Sequence, residues 1–242
     1  MVVRGAFVAA ICAIMLCGAA AAQQPALERA GGPIVVELYT SQGCDFCDGA
    51  NRLHGQLAQE RDILPLAFPV TYWDYLGWRD TFAQNDFTRR QRAYRRTLHA
   101  RGLETPQFII AGVIAVNGGR RAQVGEAIDR IRAAPAARAP RITVQRNGLS
   151  ARFDVAPAPA PAAPADIWFV SYDPGPVTQL VRDGPTTRLV VLRNLVRSIR
   201  NVGAWSGASL TIERTCRRGC AVLVQAPRGG PILAVAATTN DD

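Results

Sequence analysis

The sequence predicts an α/β domain followed by an all-β, sandwich-like domain, and three observations carry that expectation. Residues 33–134 alternate short apolar runs with amphipathic helical ones. Residues 135–141, inside the Ala/Pro-rich stretch Ala133–Pro140, mark a change of composition suited to a linker. From 142 to 238 strand-like runs follow, separated by turn residues.

Ahead of these domains, residues 1–22 read as a cleaved export leader. Arg4 supplies the positive start, Ala6–Cys17 the apolar run, and Ala20-Ala21-Ala22 a small-residue cleavage site. The run is too short to cross a ~30 Å hydrocarbon core as a helix. Leu16 is bulkier than the residue that usually precedes a lipidated cysteine. No later segment is apolar enough to be a transmembrane segment, so a secreted or periplasmic product is expected.

Ile34–Tyr39 is an almost wholly apolar strand, interrupted by Thr40–Gly43. A helix opens at or near Cys44, with Cys47, Ala50, Leu53 and Leu57 forming one buried stripe. Ile63–Tyr72 reads as a second buried strand, and the aromatic loop Tyr72–Trp78 follows it. Asn85–Arg101 reads as a helix that buries Phe87, Tyr94 and Leu98 and carries arginines on its other faces. Gln107–Ile110 and Val113–Val116 form a hairpin turned at Ala111–Gly112, and Val124, Ala127, Ile128 and Ile131 mark a closing helix. The order β-α-β-α-β-β-α suits a sheet sandwiched by helices.

In the second half the strand-like runs are 142–146, 151–155, 167–172, 187–193, 209–214, 221–226 and 232–237. Asn147–Gly148 signals a two-residue hairpin. The Ala/Pro tract 156–165 suits an extended surface loop. Leu195–Val202 fits either a short helix or a strand.

The net charge is +9, and all 28 basic residues are arginine. They are scattered, with no aromatic-and-basic motif of the kind that reads RNA, so no nucleic acid partner is expected. Cys12 and Cys17 leave with the leader, which leaves Cys44, Cys47, Cys216 and Cys220. An even number in an exported chain fits an oxidising compartment.

Cys44-Asp45-Phe46-Cys47 is the strongest chemical signal. Two cysteines at this spacing, where a buried strand meets a helix, match a redox pair. The first would gain thiolate character from the helix N-terminus and act as nucleophile; the second would resolve the mixed disulfide. An inert disulfide or half a metal site are the plainer readings. A complete zinc site needs four ligands, so neither metal nor other cofactor is expected. His54 and His99 read as ordinary surface helix residues.

Thr105-Pro106, just before the strand Gln107–Ile110, is the second feature. A cis-proline here would leave neighbouring backbone groups free to pair with an extended substrate. Gln42, Trp73 and Asp74 are candidates for lining a groove, or for a satellite cluster that pins the aromatic loop. Cys216 and Cys220 flank a turn, where a local disulfide is the simplest reading and a second redox pair the sharper one.

Asp45 bears on the acidity of Cys44. A helix N-terminus favours an anion by ~0.3–1 kcal/mol, up to ~2 when partly buried. A carboxylate about 6 Å away opposes it by roughly 0.7–2.8 kcal/mol for effective dielectrics of about 80 down to 20. The two nearly cancel, so Cys44 is expected to be only a moderately acidic thiol.

These motifs resemble the thioredoxin fold. More closely, Val35-Val36-Glu37-Leu38-Tyr39-Thr40-Ser41-Gln42-Gly43-Cys44, with the aromatic loop and Thr105-Pro106-Gln107, resembles the exported domain of unknown function 1223 family. The likeness extends less sharply to Asn194-Leu195-Val196-Arg197, Trp205-Ser206-Gly207 and Cys220–Gln225. It implies a thioredoxin-like first domain and export, and names no reaction. Where the family usually has small residues and then proline, this chain has Asp45, Phe46 and Asp48. Thioredoxins also carry a buried acid that moves the resolving thiol's proton. Glu37 lies one residue off that position, on the other sheet face unless a bulge restores the register.

The reading that follows is an exported thiol–disulfide oxidoreductase. Its partners would be a protein or small-molecule thiol or disulfide substrate and a separate redox recycling partner. The alternatives are a binding protein with a structural Cys44–Cys47 bond, and Cu(I) delivery through the two thiolates.

Overall fold

The computed structural model describes residue 27, residues 30–183 and residues 186–238; the expected leader lies outside the described residues. The first half runs β1 (Ile34–Thr40), α1 (Asp48–Leu57), β2 (Ile63–Pro69), α2 (Asn85–Thr97), β3 (Gln107–Ile110), β4 (Ile114–Asn117) and α3 (Arg121–Ala133). The second half is all strand: β5 (Ile142–Asn147), β6 (Ser150–Val155), β7 (Ala165–Asp173), β8 (Val177–Asp183) and β9 (Thr186–Leu192). It ends with β10 (Leu195–Trp205), β11 (Leu210–Thr215), β12 (Gly219–Gln225) and β13 (Ile232–Ala237). Among the described residues no helix is long and apolar enough to cross a membrane.

The all-β half does not stand apart as its own sandwich. Four of its strands continue the first sheet, giving one mixed sheet in the order β13-β12-β7-β10-β2-β1-β3-β4. The junction is the edge of β2, and proline makes it narrow. Residues 65, 67 and 69 turn their backbone toward β10, and Pro65 and Pro69 have no N–H to offer. Only Ala67 can donate, and it does so to the Asn194 carbonyl at 3.0 Å. Asn194 Nδ2 donates to the Pro65 carbonyl at 2.8 Å and seals the join.

Alternation in β1 assigns two faces. Ile34, Val36 and Leu38 meet Ala50, Leu53 and Leu57 of α1 and Val124, Ala127, Ile128 and Ile131 of α3. Farther along the same face, Ile167, Phe169, Val222 and Val224 meet Ala151, Phe153, Val155 and Ile212 of the separate sheet β11-β6-β5. That packing is where the second half is sandwich-like. The paired strands β8 and β9 lie between these two coverings, with Val181, Val190 and Leu192 on Ala67 and Leu195. The opposite face, including Val35, Tyr39, Leu66, Phe68, Val170 and Leu223, is covered by Phe87 and Tyr94 of α2.

A polar network sits inside that second core. Arg90 Nε and Nη2 donate to the two Glu37 oxygens at 2.9 and 2.7 Å, and both residues are buried. Tyr39 and Tyr94 each donate a hydroxyl to Glu37 at 2.7 Å, and Gln225 Nε2 donates to the Tyr94 oxygen at 2.9 Å. Burial, reinforced by the Glu37 carboxylate, raises both tyrosine pKa values, so both remain donors. The network ties β1 to α2, and α2 to β12.

Several elements differ from expectation. α1 begins at Asp48, not Cys44, and α2 ends at Thr97. The undecided segment 195–202 belongs to β10, and β8 has no counterpart among the expected strands. The first hairpin pairs Asn147 with Ser150, so its two loop residues are Gly148 and Leu149, one position later than expected. Ala111 and Gly112 both take positive φ, 51° and 73°, as a tight turn between right-twisted strands requires. His54 is not a surface residue: α1 lies between the sheet and β9, and the imidazole is fully buried. Its ring nitrogens make no hydrogen bond of good geometry among the described residues. Burial pushes its pKa down to about 3, and the Leu66 backbone offsets part of that effect.

Two predictions follow from these buried groups. Arg90→Ala leaves the Glu37 carboxyl buried without its guanidinium partner, and urea unfolding at pH 7 should show a loss of about 3–5 kcal/mol. His54 is neutral in the fold but gains a proton below about pH 6.5 when unfolded. Its contribution is complete above that pH and is lost toward pH 3, at up to about 1.4 kcal/mol per pH unit. His54→Leu should therefore show a flatter stability profile between pH 6.5 and 4; an unchanged slope would assign the acid sensitivity elsewhere.

Candidate functional site at the Cys44–Cys47 pair

β1 delivers the chain to Ser41 and Gln42, and a tight turn carries Cys44 to Cys47. The two cysteines form a disulfide with Cα atoms 5.4 Å apart. Cys47 N–H donates to the Cys44 carbonyl at 3.1 Å, and Asn51 N–H to the Cys47 carbonyl at 2.9 Å, which opens α1. Cys44 thus stands one turn ahead of the helix rather than in its first turn. Phe46, between the cysteines, is 79% exposed, while both cysteines are fully buried. Behind them Thr40 Oγ1 donates to Asn51 Oδ1 at 2.9 Å, and Asn51 Nδ2 has no partner among the described residues.

The aromatic loop is clamped to this turn. Gln42 N–H donates to Asp80 Oδ2 at 2.7 Å, and Trp78 Nε1 donates to Gln42 Oε1 at 2.9 Å. Gln42 Nε2 reaches Thr81 Oγ1 at 3.1 Å. Asp74 Oδ1 accepts the Asp80 N–H at 3.1 Å. Burial raises the Asp80 pKa, and the donated N–H groups of Gln42 and Phe82 partly oppose it. Gln42 is therefore a buried clamp rather than a groove residue, and Asp74 supports Asp80. Trp73 has a double role: its Cβ lies against Gly43, and its indole N–H donates to Thr105 Oγ1.

Thr105–Pro106 is a cis peptide. Gln91 Nε2 on α2 holds the segment through the Glu104 carbonyl at 2.8 Å and Gln107 Oε1 at 2.9 Å. Gly118 N–H donates to the Pro106 carbonyl at 2.8 Å. A Cβ at Gly118 would come within 2.6 Å of Pro106 Cβ and 3.1 Å of Ala50 Cβ, so only glycine lets the proline lie this close to α1. Trp73, Thr105 and Pro106 are thereby gathered beside the cysteine turn.

One residue of the site was not foreseen. Arg188 on β9 donates to the Gln42 carbonyl and lies 3.8 Å from Asp45 and 3.2 Å from Asp48. It shares a strand face with the inward-facing Val190 and Leu192, so the strand turns its guanidinium toward α1. The expected near-cancellation at Cys44 left out this cation. No local pattern separates Arg188 from the other arginines of the chain.

Two other candidates lie elsewhere. Glu37 faces α2, away from α1, and is engaged by Arg90 and two tyrosines, so it is not in place to serve Cys47. Cys216 and Cys220 form their own buried disulfide between β11 and β12. β12 lies four strand positions from β1 in the sheet, roughly 19 Å at the usual strand spacing. That is beyond direct exchange, for which the Cα atoms must approach within about 7 Å.

Comparison with solved structures gives two relevant likenesses. Protein AGR_C_4864 of Agrobacterium tumefaciens is 26% identical with a TM-score of 0.71, covering 88% of this chain and 96% of that one. HBP35 of Porphyromonas gingivalis is 12% identical with a TM-score of 0.63, covering 89% and 77% respectively, a likeness of fold alone. No curated protein matches the chain. A family model described as a protein of unknown function (DUF1223) matches residues 35–225, from β1 through β12, and the chain therefore belongs to the DUF1223 family.

Proposed function

We propose that β1 to α3 form a thioredoxin-like module of an exported protein, and that Cys44 and Cys47 exchange disulfides with protein or small-molecule substrates. The observation that carries this reading is the apposition of the Cys44–Cys47 bond, at a strand–helix junction, with Trp73 and the Thr105–Pro106 segment. In the reductive direction the Cys44 thiolate attacks a substrate disulfide, forms a mixed disulfide and releases one substrate thiolate. The Cys47 thiolate then attacks the Cys44 sulfur, releases the second substrate thiol and closes the Cys44–Cys47 bond. Two electrons pass to the substrate, and an external dithiol restores the reduced pair. The oxidative direction is the reverse.

Arg188 supports the first step. Arg188 donates to the Gln42 carbonyl, two residues before Cys44, and a cation about 7 Å from a thiolate, at an effective dielectric of ~40–80, favours the anion by ~0.6–1.2 kcal/mol. It also offsets Asp45 and Asp48, which would otherwise oppose the anion.

A second reading, a binding protein with a structural Cys44–Cys47 bond, is favoured by the complete burial of both cysteines. The reduction potential separates the two. A value between roughly −120 and −270 mV belongs to an exchanging pair, and one below about −300 mV to a structural bond. Under the exchange reading, Cys47→Ser should accumulate mixed disulfides through Cys44, detectable by mass, while Cys44→Ser accumulates none. In the reduced protein, Arg188→Ala should raise the Cys44 pKa by about 0.4–0.9 unit in the pH profile of alkylation. An unchanged profile would reduce β9 to a packing element.

A further inference from the structure

Helix α1 buries two stripes, and apolar packing accounts for only one of them. Ala50, Leu53 and Leu57 meet the core beneath β1. Cys47, Asn51 and His54 follow one another at i, i+4 and i+7, on the neighbouring face of the helix. Asn51 is 6% exposed, and Cys47 and His54 are fully buried. A polar stripe thus runs inward from the second cysteine.

β9 covers this stripe. Arg188 reaches Asp48 at 3.2 Å at the start of α1, and a Cβ at Gly55 would lie 3.7 Å from Arg193 Cδ. The chain from Arg188 to Arg193 therefore lies along α1 from 48 to 55, with Asn51 and His54 between the two anchor points. Polar atoms in the seam lack partners. Asn51 Nδ2, both ring nitrogens of His54 and Arg188 Nε are buried without a hydrogen bond among the described residues. Each such atom costs ~1–3 kcal/mol if left unmet, and internal water is the usual way it is met. The charged groups along the seam are Asp48, Arg188 and Arg193. The side chains turned to it from β9 and β2, such as Val190, Leu192, Ile63 and Ala67, do not titrate. No charge contributes to the lowered His54 pKa, whose causes are burial and the Leu66 backbone.

We propose that Asn51 and His54 hold a short chain of internal water that carries away the Cys47 thiol proton when Cys47 resolves a mixed disulfide. This is the place that Glu37 does not fill, and the inference rests on the exchange reading. In the resolving step the Cys47 S–H gives its proton to the chain, and the Cys47 sulfur bonds to Cys44 Sγ. The bond from Cys44 to the substrate breaks, and its electron pair leaves on the substrate thiolate. The proton passes along the water to the surface, where the thiolate can take one up. A neutral imidazole offers one N–H and one lone pair, so His54 can accept from one water and donate to the next. His54 lies about 10 Å along the helix from Cys47, a gap that Asn51 divides. Both act through water and are positioning residues.

The test is stopped-flow release of coloured thiolate when the reduced full chain is mixed one-to-one with dithiobis(nitrobenzoate). One thiolate leaves when Cys44 attacks, and the second when Cys47 resolves. His54→Leu and Asn51→Leu should leave the first release unchanged and slow the second about tenfold or more at pH 7. The deficit should close above about pH 9, where a thiol ionises without help. His54→Gln keeps a donor and an acceptor and should recover most of the second rate. The proposal is overturned if His54→Leu releases the second thiolate normally, if the slowing is equal at every pH, or if His54→Gln is as slow as His54→Leu. Absence of the first release from the unaltered protein would instead remove the exchange reading, and the relay with it.

Discussion

The buried ion pair of Glu37 and Arg90 is the constraint around which this molecule is arranged. A carboxylate in the middle of a central strand carries a large desolvation cost unless every lone pair is met. Here two guanidinium nitrogens and two tyrosine hydroxyls meet it. Satisfying Glu37 forces α2 to lie across the sheet with Arg90 and Tyr94 inward, which sets the register of the whole helix. From that register Gln91 reaches the chain around Thr105–Pro106. One electrostatic requirement in the core thus extends to the proline segment beside the cysteine turn.

The second constraint is the proline-bearing edge of β2, which has almost nothing to donate. Pro65 and Pro69 leave Ala67 as the sole donor toward β10, so the two halves share a sheet through a very short contact. The join is strengthened by side chains, through Asn194 at the edge and Gln225 in the core. Because β10 starts at that edge, the preceding β8–β9 pair is carried over the end of α1. Arg188 arrives at the cysteine turn by that route, more than 130 residues after the cysteines it neighbours.

Much of the architecture was legible because it depends on local periodicity. The buried stripe of α3, the tight turn at Ala111–Gly112 and the strands flanking Asn147 follow from apolar spacing and turn chemistry. The cysteine spacing and Thr105–Pro106 were legible for the same reason, since each is a short motif at a strand end. Boundaries were less so. Cys44 was assigned to the helix because Cys47, Ala50, Leu53 and Leu57 share a helical period, but periodicity does not distinguish the first helical turn from a turn that precedes it.

What the sequence determined by itself is therefore the set of elements and the chemical type of the site: an alternating α/β half, a strand-rich half, and a dithiol where a buried strand meets a helix. Only the tertiary structure decided that the two halves share one sheet, that His54 is buried, that Glu37 serves Arg90 rather than Cys47, and that Arg188 joins the site. The physical reason is common to all four. Each depends on which surface covers a given face, and strand pairing and ion pairing between distant segments leave no trace in the spacing of residues along the chain.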